Sequence, residues 1–168
     1  HLNLGGYMKF LVFLLTCGPL LAFANLHPGH CRVKPNLECE QEVKKRIPKY
    51  QYSSEIHQKQ IKYHCAGNPG GECVKKLAKT LPWYNTNNRD DLNKVALSCA
   101  LTDMDCLNFV AKKVGPRNLR SLEDTRKVAM ACARSDIRCL KDACKSEFDC
   151  DREEELLDAA RSCYQVCY

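Results

Sequence analysis

Four histidines could supply metal ligands, because imidazole nitrogens bind copper, nickel and zinc. They are His27, His30, His57 and His64. His57 and His64 are seven residues apart, which places them two turns along one helical face and about 10 Å from each other. That distance is too long for one shared ion unless His27 or His30 folds back toward them. The role of these first two histidines depends on where the mature chain begins.

A targeting segment precedes these histidines. Lys9 follows the first methionine, residues 10–15 are apolar, and Ala22-Phe23-Ala24 has the small-x-small pattern of a cleavage site. This is the layout of a secretory signal peptide. The apolar run is too short for a retained transmembrane helix. Cleavage after Ala24 would therefore release a secreted, extracellular protein.

The predicted cleavage site divides the chain. We interpret residues 1–7 as an upstream remnant, residues 8–24 as the signal peptide and residues 25–168 as a single cysteine-rich helical domain. The patterns described below divide this domain into about four repeats and a C-terminal cap. Since no other segment is long and apolar enough to cross a bilayer, we expect no transmembrane segment in the mature chain.

Cleavage after Ala24 would create a mature terminus that reads Asn25-Leu26-His27. A free amine, two backbone amide nitrogens and an imidazole on the third residue form a square-planar site with four nitrogens. Cu(II) favours this geometry. We therefore predict Cu(II) as the cofactor, with Asn25, Leu26, His27 and His30 as its candidate metal site. The alternative is a terminus without a metal function.

Cysteine accounts for 13 of the 168 residues, a fraction typical of a disulfide scaffold. Removal of Cys17 with the signal peptide leaves an even number, as complete pairing requires. Oxidised cysteines cannot serve as thiolate ligands, which argues against a zinc finger. The cysteines that we predict to form disulfides are Cys31, Cys39, Cys65, Cys73, Cys99, Cys106, Cys132, Cys139, Cys144, Cys150, Cys163 and Cys167.

The cysteines recur with a period of about 33 residues, which marks a repeated supersecondary unit. The repeating pairs are Cys31/Cys39, Cys65/Cys73, Cys99/Cys106 and Cys132/Cys139. Between the members of the second pair, Gly70-Gly71 predicts a turn between two helices. Pairing within each hairpin and pairing between adjacent repeats both fit this period, so the spacing leaves the connectivity open.

Helical patterns flank each cysteine pair. One apolar stripe has the spacing of a buried helix face and comprises Leu92, Val95, Ala96, Cys99 and Ala100. Ser121 and Asp124 resemble a capping box at the start of a helix, and Gly115-Pro116 predicts a helix end. Prolines recur between helices at Pro48, Pro82 and Pro116. The sequence therefore predicts an all-α fold, a disulfide-stapled array of short helical hairpins.

The last unit departs from the repeat. Cys144 and Cys150 are additional, and Cys163 and Cys167 follow sooner than the period requires. Because a terminal repeat has no neighbour on its outer side, repeat arrays commonly end in an atypical unit. We predict a closing cap with its own disulfide.

Basic residues outnumber acidic residues, 26 to 20. Basic clusters recur once per repeat, at Lys44-Lys45-Arg46, Lys75-Lys76 and Lys112-Lys113. Aligned on a stacked array, they would form a positive stripe that favours anionic membrane surfaces or acidic glycans. The alternative is a solvated helix face. Since no aromatic-basic motif accompanies them, we expect no nucleic-acid partner.

Motifs of known enzyme classes are missing from the sequence. It has no nucleophile elbow and no metalloprotease motif. The glycine-rich segment between Cys65 and Cys73 superficially resembles the calcium loop of secreted phospholipases, but the His-Asp pair that such an enzyme needs is missing. We therefore predict that the protein is not an enzyme.

Three cysteines of the last unit, Cys139, Cys144 and Cys150, have the spacing C-x4-C-x5-C on a helical background. This segment resembles the central signature of the microplusin/hebraein family, the small, cysteine-rich, all-helical antimicrobial proteins of ticks. The resemblance covers mainly Cys132–Cys163, and His27-Pro28-Gly29-His30-Cys31 takes the place of the family's His-containing N-terminus. That family sequesters copper and starves microbes, so the resemblance implies copper ligands at His27 and His30.

These patterns favour a secreted host-defence or salivary protein that is antimicrobial through copper sequestration, with copper and microbial surfaces as partners. A second hypothesis is a non-enzymatic binding protein of saliva or venom that engages a host protein through its stacked helices. Exposed aromatic residues would make that contact, with Trp83-Tyr84, Tyr50 and Tyr52 as candidates. A third hypothesis is a carrier of a small apolar ligand between helices.

Overall fold

Nine α-helices and one 3-10 turn account for most of residues 35–165, the part of the chain that the computed structural model describes. The helices are α1 (Leu37–Arg46), α2 (Glu55–His64), α3 (Glu72–Ala78), α4 (Trp83–Thr86), α5 (Arg89–Ser98), α6 (Met104–Val114), α7 (Leu122–Ala131), α8 (Ile137–Ser146) and α9 (Glu153–Ser162). The 3-10 turn, Lys49–Gln51, lies between α1 and α2. The predicted all-α fold is confirmed.

Polar side chains fix where most of these helices begin. In α1, α6 and α8 the capping residue lies three positions before a cysteine and accepts its amide hydrogen; the pairs are Asn36 with Cys39, Asp103 with Cys106, and Asp136 with Cys139. Such a cap satisfies an amide that has no partner inside the helix. At α7, Ser121 Oγ accepts the amide of Asp124 at 3.0 Å, which confirms the predicted cap.

The helices form four units. In each unit a disulfide joins the first turn of one helix, called the first helix, to the end of another, called the second helix. The first helices are α1, α3, α6 and α8, and the second helices are α2, α5, α7 and α9. The bridges are Cys39–Cys65, Cys73–Cys99, Cys106–Cys132 and Cys139–Cys163. Each of these bridges joins the second cysteine of one sequence pair to a cysteine of the next repeat, so of the two alternatives left open by the spacing the structure shows pairing between adjacent repeats.

The units stack with their second helices in one row. Helix α5 contacts α2 on one side and α7 on the other, and α7 contacts α9. Among the first helices, α1 contacts α3 and α6 contacts α8. The predicted stripe of α5 lies inside this stack, because Leu92, Val95 and Ala96 are fully buried.

The array has two edges of different construction. Turns between units form the turn edge, at residues 65–71, 99–103 and 132–136. Connections inside units form the loop edge, at residues 47–54, 79–88, 115–121 and 147–152. At the loop edge α6 ends at Val114, and Gly115 follows it with a φ of 81°, as the Gly-Pro pair predicts.

Backbone hydrogen bonds connect successive turns of the turn edge. The amide of Leu101 donates to the Gly67 carbonyl at 2.9 Å, and the amide of Arg134 donates to the Leu101 carbonyl at 2.8 Å. The amide of Gln165 donates to the Arg134 carbonyl at 2.8 Å. Gly67, Leu101 and Arg134 all have a left-handed backbone, with φ of 78°, 60° and 55°. Each turn is therefore bonded to the turn of the next unit.

Buried polar side chains repeat at the same turns. Each side chain donates to an alanine carbonyl of the next unit; the pairs are Asn68 with Ala96, Thr102 with Ala129, and Ser135 with Ala160. All three donors are buried. Because an unpaired polar group is costly in the interior, these bonds fix how each unit sits on the next.

The predicted turn at Gly70-Gly71 is confirmed, and the structure shows why both residues are glycine. Gly70 has a φ of 100°, which L side chains rarely adopt. A Cβ atom on Gly71 would lie 2.9 Å from the carbonyl oxygen of Glu38 in α1. The turn therefore approaches α1 too closely for a side chain at that position.

The predicted cap has its own bridge. Cys144, near the end of α8, pairs with Cys150 in the loop before α9, at a sequence separation of only six. Phe148 in this loop packs against the hydrophobic core. The remaining predicted disulfide cysteines, Cys31 and Cys167, lie outside the described residues.

Candidate functional site

The predicted copper ligands lie outside the described part of the chain. This applies to all four of them, namely Asn25, Leu26, His27 and His30. The predicted signal peptide, residues 8–24, also lies outside it. Copper binding at this terminus therefore stays a prediction.

The other two histidines lie on α2, as their spacing predicts. His64 Nδ1 is 2.7 Å from the carbonyl oxygen of Gln60, and its ring packs edge-on against Tyr63. His57 Nδ1 is buried and makes no hydrogen bond within the described residues. No group of three or more His, Cys, Asp or Glu side chains in residues 35–165 is arranged to hold a metal ion.

Three large aromatic side chains lie exposed at the loop edge. Tyr50 is 72% exposed, Trp83 is 74% exposed and Tyr84 is 61% exposed. The rings of Trp83 and Tyr84 meet edge to face, with their centroids 6.4 Å apart. We call Tyr50, Trp83 and Tyr84 the aromatic cluster. Tyr52, predicted with them, is instead half-buried and packs against the hydrophobic core.

Hydrogen bonds join the two loops that carry the aromatic cluster. Gln51 Nε2 donates to the Asn87 carbonyl at 3.0 Å, and the Arg89 amide donates to Gln51 Oε1 at 2.7 Å. The Asn87 amide in turn donates to the Trp83 carbonyl at 2.8 Å. Asn85 Nδ2 donates to Asp91 Oδ2 at 2.8 Å, which anchors α4 to α5. The backbone beneath the aromatic cluster is thus held at both loops.

A shallow depression of about 290 Å³ opens beside Tyr50 of the aromatic cluster. Its lining is mostly polar and comprises Tyr50, Gln51, His57, Asn88, Arg89 and Asp90. The Arg89 guanidinium forms an ion pair with Asp90 at 2.8 Å. Aromatic side chains surrounded by polar groups are typical of the energetically dominant part of a protein interface.

The predicted basic clusters lie on the first helices, and about half of their charges are paired. Four short ion pairs involve these clusters: Lys44–Glu40, Arg46–Glu42, Lys75–Glu72 and Lys113–Asp151. The other cluster residues, Lys45, Lys76 and Lys112, pair with no carboxylate of the described residues. The predicted stripe therefore keeps part of its positive charge.

One ion pair of these clusters changes the acidity of both partners. Lys75 Nζ donates a hydrogen bond to Glu72 Oε1 at 2.9 Å. This bond and the charge of Lys75 lower the pKa of the Glu72 carboxyl, and the same contact raises the pKa of Lys75. Both groups are therefore charged at neutral pH, and Glu72 offsets one lysine charge of α3.

Comparison with protein-family models, with curated proteins and with solved structures finds no match to this chain. The resemblance to the copper-sequestering tick family therefore stays a prediction. Among the described helices, none combines the length and the apolar character that crossing a bilayer requires.

One repeated feature is missing from our sequence predictions, although the sequence contains the signal. In every unit a lysine lies six positions after the cysteine in the first turn of the first helix. These residues are Lys45, Lys79, Lys112 and Lys145. The predicted clusters were defined by adjacent basic residues, so Lys79 and Lys145 fell outside them. The repeated position of this lysine becomes apparent when the four units are aligned on their disulfide cysteines.

Proposed function

We propose that the protein is a secreted, non-catalytic binding protein that recognises another protein through the aromatic cluster. The observation that carries this proposal is the exposure of Trp83 on a loop whose backbone is hydrogen-bonded to its neighbour. Tryptophan and tyrosine are the residues most enriched among those that dominate binding energy at protein interfaces. The partner that fits is a protein with an apolar pocket for the Trp83 ring.

Pre-organisation supports this role. Association loses free energy when flexible side chains and loops become ordered, so a loop held in place before binding favours tighter complexes. Two bonds through Gln51 and one through Asn85 already hold the loops of the aromatic cluster. Disulfide Cys73–Cys99 closes the unit that carries Trp83 and Tyr84.

The single tryptophan of the chain gives a direct test, because only Trp83 contributes indole fluorescence. A panel of purified secreted and cell-surface proteins is screened for binding to the oxidised protein, and each binder is titrated while Trp83 emission is followed. We expect a shift of the emission to shorter wavelength on binding, since the ring leaves water. The variant Trp83→Ala/Tyr84→Ala, which has no tryptophan and is therefore titrated by calorimetry, should lose at least tenfold in affinity, or about 1.4 kcal/mol.

The matched control is Tyr63→Ala, which removes an equally exposed aromatic ring from α2. It should leave the affinity unchanged. Binders that keep their affinity for Trp83→Ala/Tyr84→Ala in calorimetry, and that leave the Trp83 emission of the unmodified protein unchanged, would contradict the proposal. An emission shift that depends only on the concentration of the protein itself would reassign the aromatic cluster to contacts between two copies.

Antimicrobial copper sequestration is the second candidate function. The observation that favours it is the sequence Asn25-Leu26-His27 after the predicted cleavage site. A competitive Cu(II) titration tests it on oxidised protein whose first residue is confirmed as Asn25 by mass. We expect tight binding of one ion, and loss of that binding when one residue is added before Asn25, because the extension removes the free amine. Weak binding by both samples would refute this function.

A further inference from the structure

We propose that the surface formed by the first helices, α1, α3, α6 and α8, binds a linear sulfated glycan through a row of lysines. The row consists of the lysine six residues after the first cysteine of each unit: Lys45, Lys79, Lys112 and Lys145. All four side chains are exposed. We call these four residues the lysine row. The site is separate from the aromatic cluster, and the proposal does not depend on the protein partner proposed above.

The structure places three members of the lysine row, Lys45, Lys79 and Lys112, along two neighbouring grooves of the array. Two grooves separate the first three first helices. Lys45 and Lys75 line the groove between α1 and α3, while Lys75, Lys76 and Lys79 line the groove between α3 and α6. Asn108 lines the second groove from α6, and Lys112 follows it by one helical turn on the same face. The row therefore crosses the helices rather than following one of them.

The positive charge of this surface is concentrated in the groove between α3 and α6. In the groove between α1 and α3, Glu38, Glu42 and Glu72 offset the two lysines. Lys45, Lys79 and Lys112 pair with no carboxylate of the described residues. Lys145 lies 3.5 Å from Asp142, but both groups are largely exposed, and such a pair contributes little in water. In the groove between α3 and α6, Glu72 is the one acid against Lys75, Lys76 and Lys79. An anion entering this groove meets an excess of positive charge.

The spacing of the lysine row fits an extended polyanion. Packed helices lie about 10 Å apart, so the first helices that contact each other, α1 with α3 and α6 with α8, present ammonium groups separated by a distance on the order of 10 Å. A linear chain with sulfates along its length can contact several of these groups at once, and weak contacts then add up. Sulfated glycans are the polyanions of this kind outside cells, where disulfide-rich proteins persist.

Membrane binding fits this surface less well. Proteins that lie on anionic bilayers combine basic residues with large apolar side chains that enter the lipid. Here the exposed large apolar side chains belong almost entirely to the second helices and the loop edge; they include Ile56, Tyr63, Trp83, Leu97 and Met130. On the first helices of the described chain, Leu37 is the exception. Beside the lysine row, Met104 lines the groove between α3 and α6, but it is half-buried and does not project as an exposed apolar side chain.

The test uses heparin as the probe and the full oxidised protein as the reference. We compare it with Lys45→Gln/Lys79→Gln/Lys112→Gln by calorimetric titration at several salt concentrations. Removing three exposed charge contacts should weaken heparin binding by roughly tenfold or more. It should also reduce the dependence of affinity on salt, because fewer counterions are released. The variant Lys45→Arg/Lys79→Arg/Lys112→Arg should retain binding, since the charge remains.

The matched control removes three exposed lysines from the second helices, as Lys62→Gln/Lys94→Gln/Lys127→Gln. It has the same net charge as the test variant and should bind heparin like the unmodified protein. Equal losses in the two triple variants would overturn the proposal, because net charge alone would then explain binding. Preference for vesicles of anionic lipid over heparin would also overturn it. The Trp83→Ala/Tyr84→Ala variant should bind heparin normally, which separates this test from that of the aromatic cluster.

Discussion

The turn edge and the loop edge of the array differ in how closely the units resemble one another. At the turn edge the same backbone bonds and the same buried polar contact recur from unit to unit. At the loop edge each unit differs: the first has a 3-10 turn, the second has α4, and the last has the Cys144–Cys150 bridge. Repetition at one edge maintains the stacking, and the other edge is left to vary.

We expect this difference to separate the residues that stabilise the array from the residues that bind a partner. Residues that fix the stacking of units, such as Thr102, are buried and bonded. Residues with no bond to the next unit, such as Trp83, are exposed at the loop edge. Since loops on a rigid scaffold commonly carry function, we expect substitutions at the turn edge to change stability and those at the loop edge to change binding.

Disulfides should show the largest difference between the edges. Cys106–Cys132 closes a separation of 26 residues at the turn edge, and Cys144–Cys150 closes one of six at the loop edge. A longer closed loop restricts the unfolded chain more, so Cys106→Ala/Cys132→Ala should lower the free energy of unfolding by about 3.5 kcal/mol. For Cys144→Ala/Cys150→Ala we expect about 2.4 kcal/mol. Urea unfolding measures both, and a larger loss at the loop edge would contradict the comparison.

A pair of threonines tests the same difference in stability between the two edges without removing a disulfide. Thr102 Oγ1 is buried and lies 3.3 Å from two carbonyl oxygens, those of Ala129 and Ser98, which share its one hydrogen. Thr86 Oγ1, by contrast, donates to the Trp83 carbonyl in an exposed helix. Thr102→Val should lower the free energy of unfolding by about 1–2 kcal/mol, because a buried carbonyl loses a donor. Thr86→Val should change it by less than about 0.5 kcal/mol. Thermal or urea unfolding of the two variants would reject the distinction if their losses were equal.

The smallest effect concerns acid stability at the turn edge. The amides of Arg138 and Cys139 donate to Asp136 Oδ1 and lower the pKa of this carboxyl, and Gln165 adds a hydrogen bond. A group with a lowered folded pKa stabilises the protein above its unfolded pKa of about 3.9, and this contribution is lost as the pH falls through the folded pKa.

The variant Asp136→Asn isolates that contribution, because asparagine keeps the cap but does not titrate. Its urea midpoint should fall less than that of the unmodified protein between neutral pH and about pH 2.5. NMR titration of Asp136 provides the independent check. An ordinary aspartate pKa, or the same acid sensitivity in both proteins, would contradict the assigned cause.

The helices could be predicted from the sequence because their signals are local. Helical spacing predicted the buried stripe of α5, Gly115-Pro116 predicted the end of α6, and Ser121 predicted the start of α7. The additional cysteines predicted the closing bridge. Each of these signals lies within a few residues of the feature that it specifies.

The sites were harder to predict because they join residues far apart in the chain. Trp83 and Tyr50 were named from their type, but Gln51 joins their loops across more than 30 residues. Tyr52, one residue beyond Gln51, looks equivalent to Tyr50 in sequence yet packs against the core. The lysine row became visible only when the units were aligned on their disulfides.

The sequence by itself determined an all-α repeat of short helices with cysteines at fixed positions, because periodicity and capping act within a few residues. Only the tertiary structure decided which cysteines pair and which side chains face water. Pairing requires two Cα atoms about 5.5 Å apart, as at Cys106–Cys132, and stacking of whole units sets that distance. Exposure likewise depends on what packs against a side chain, which is a property of the assembled array.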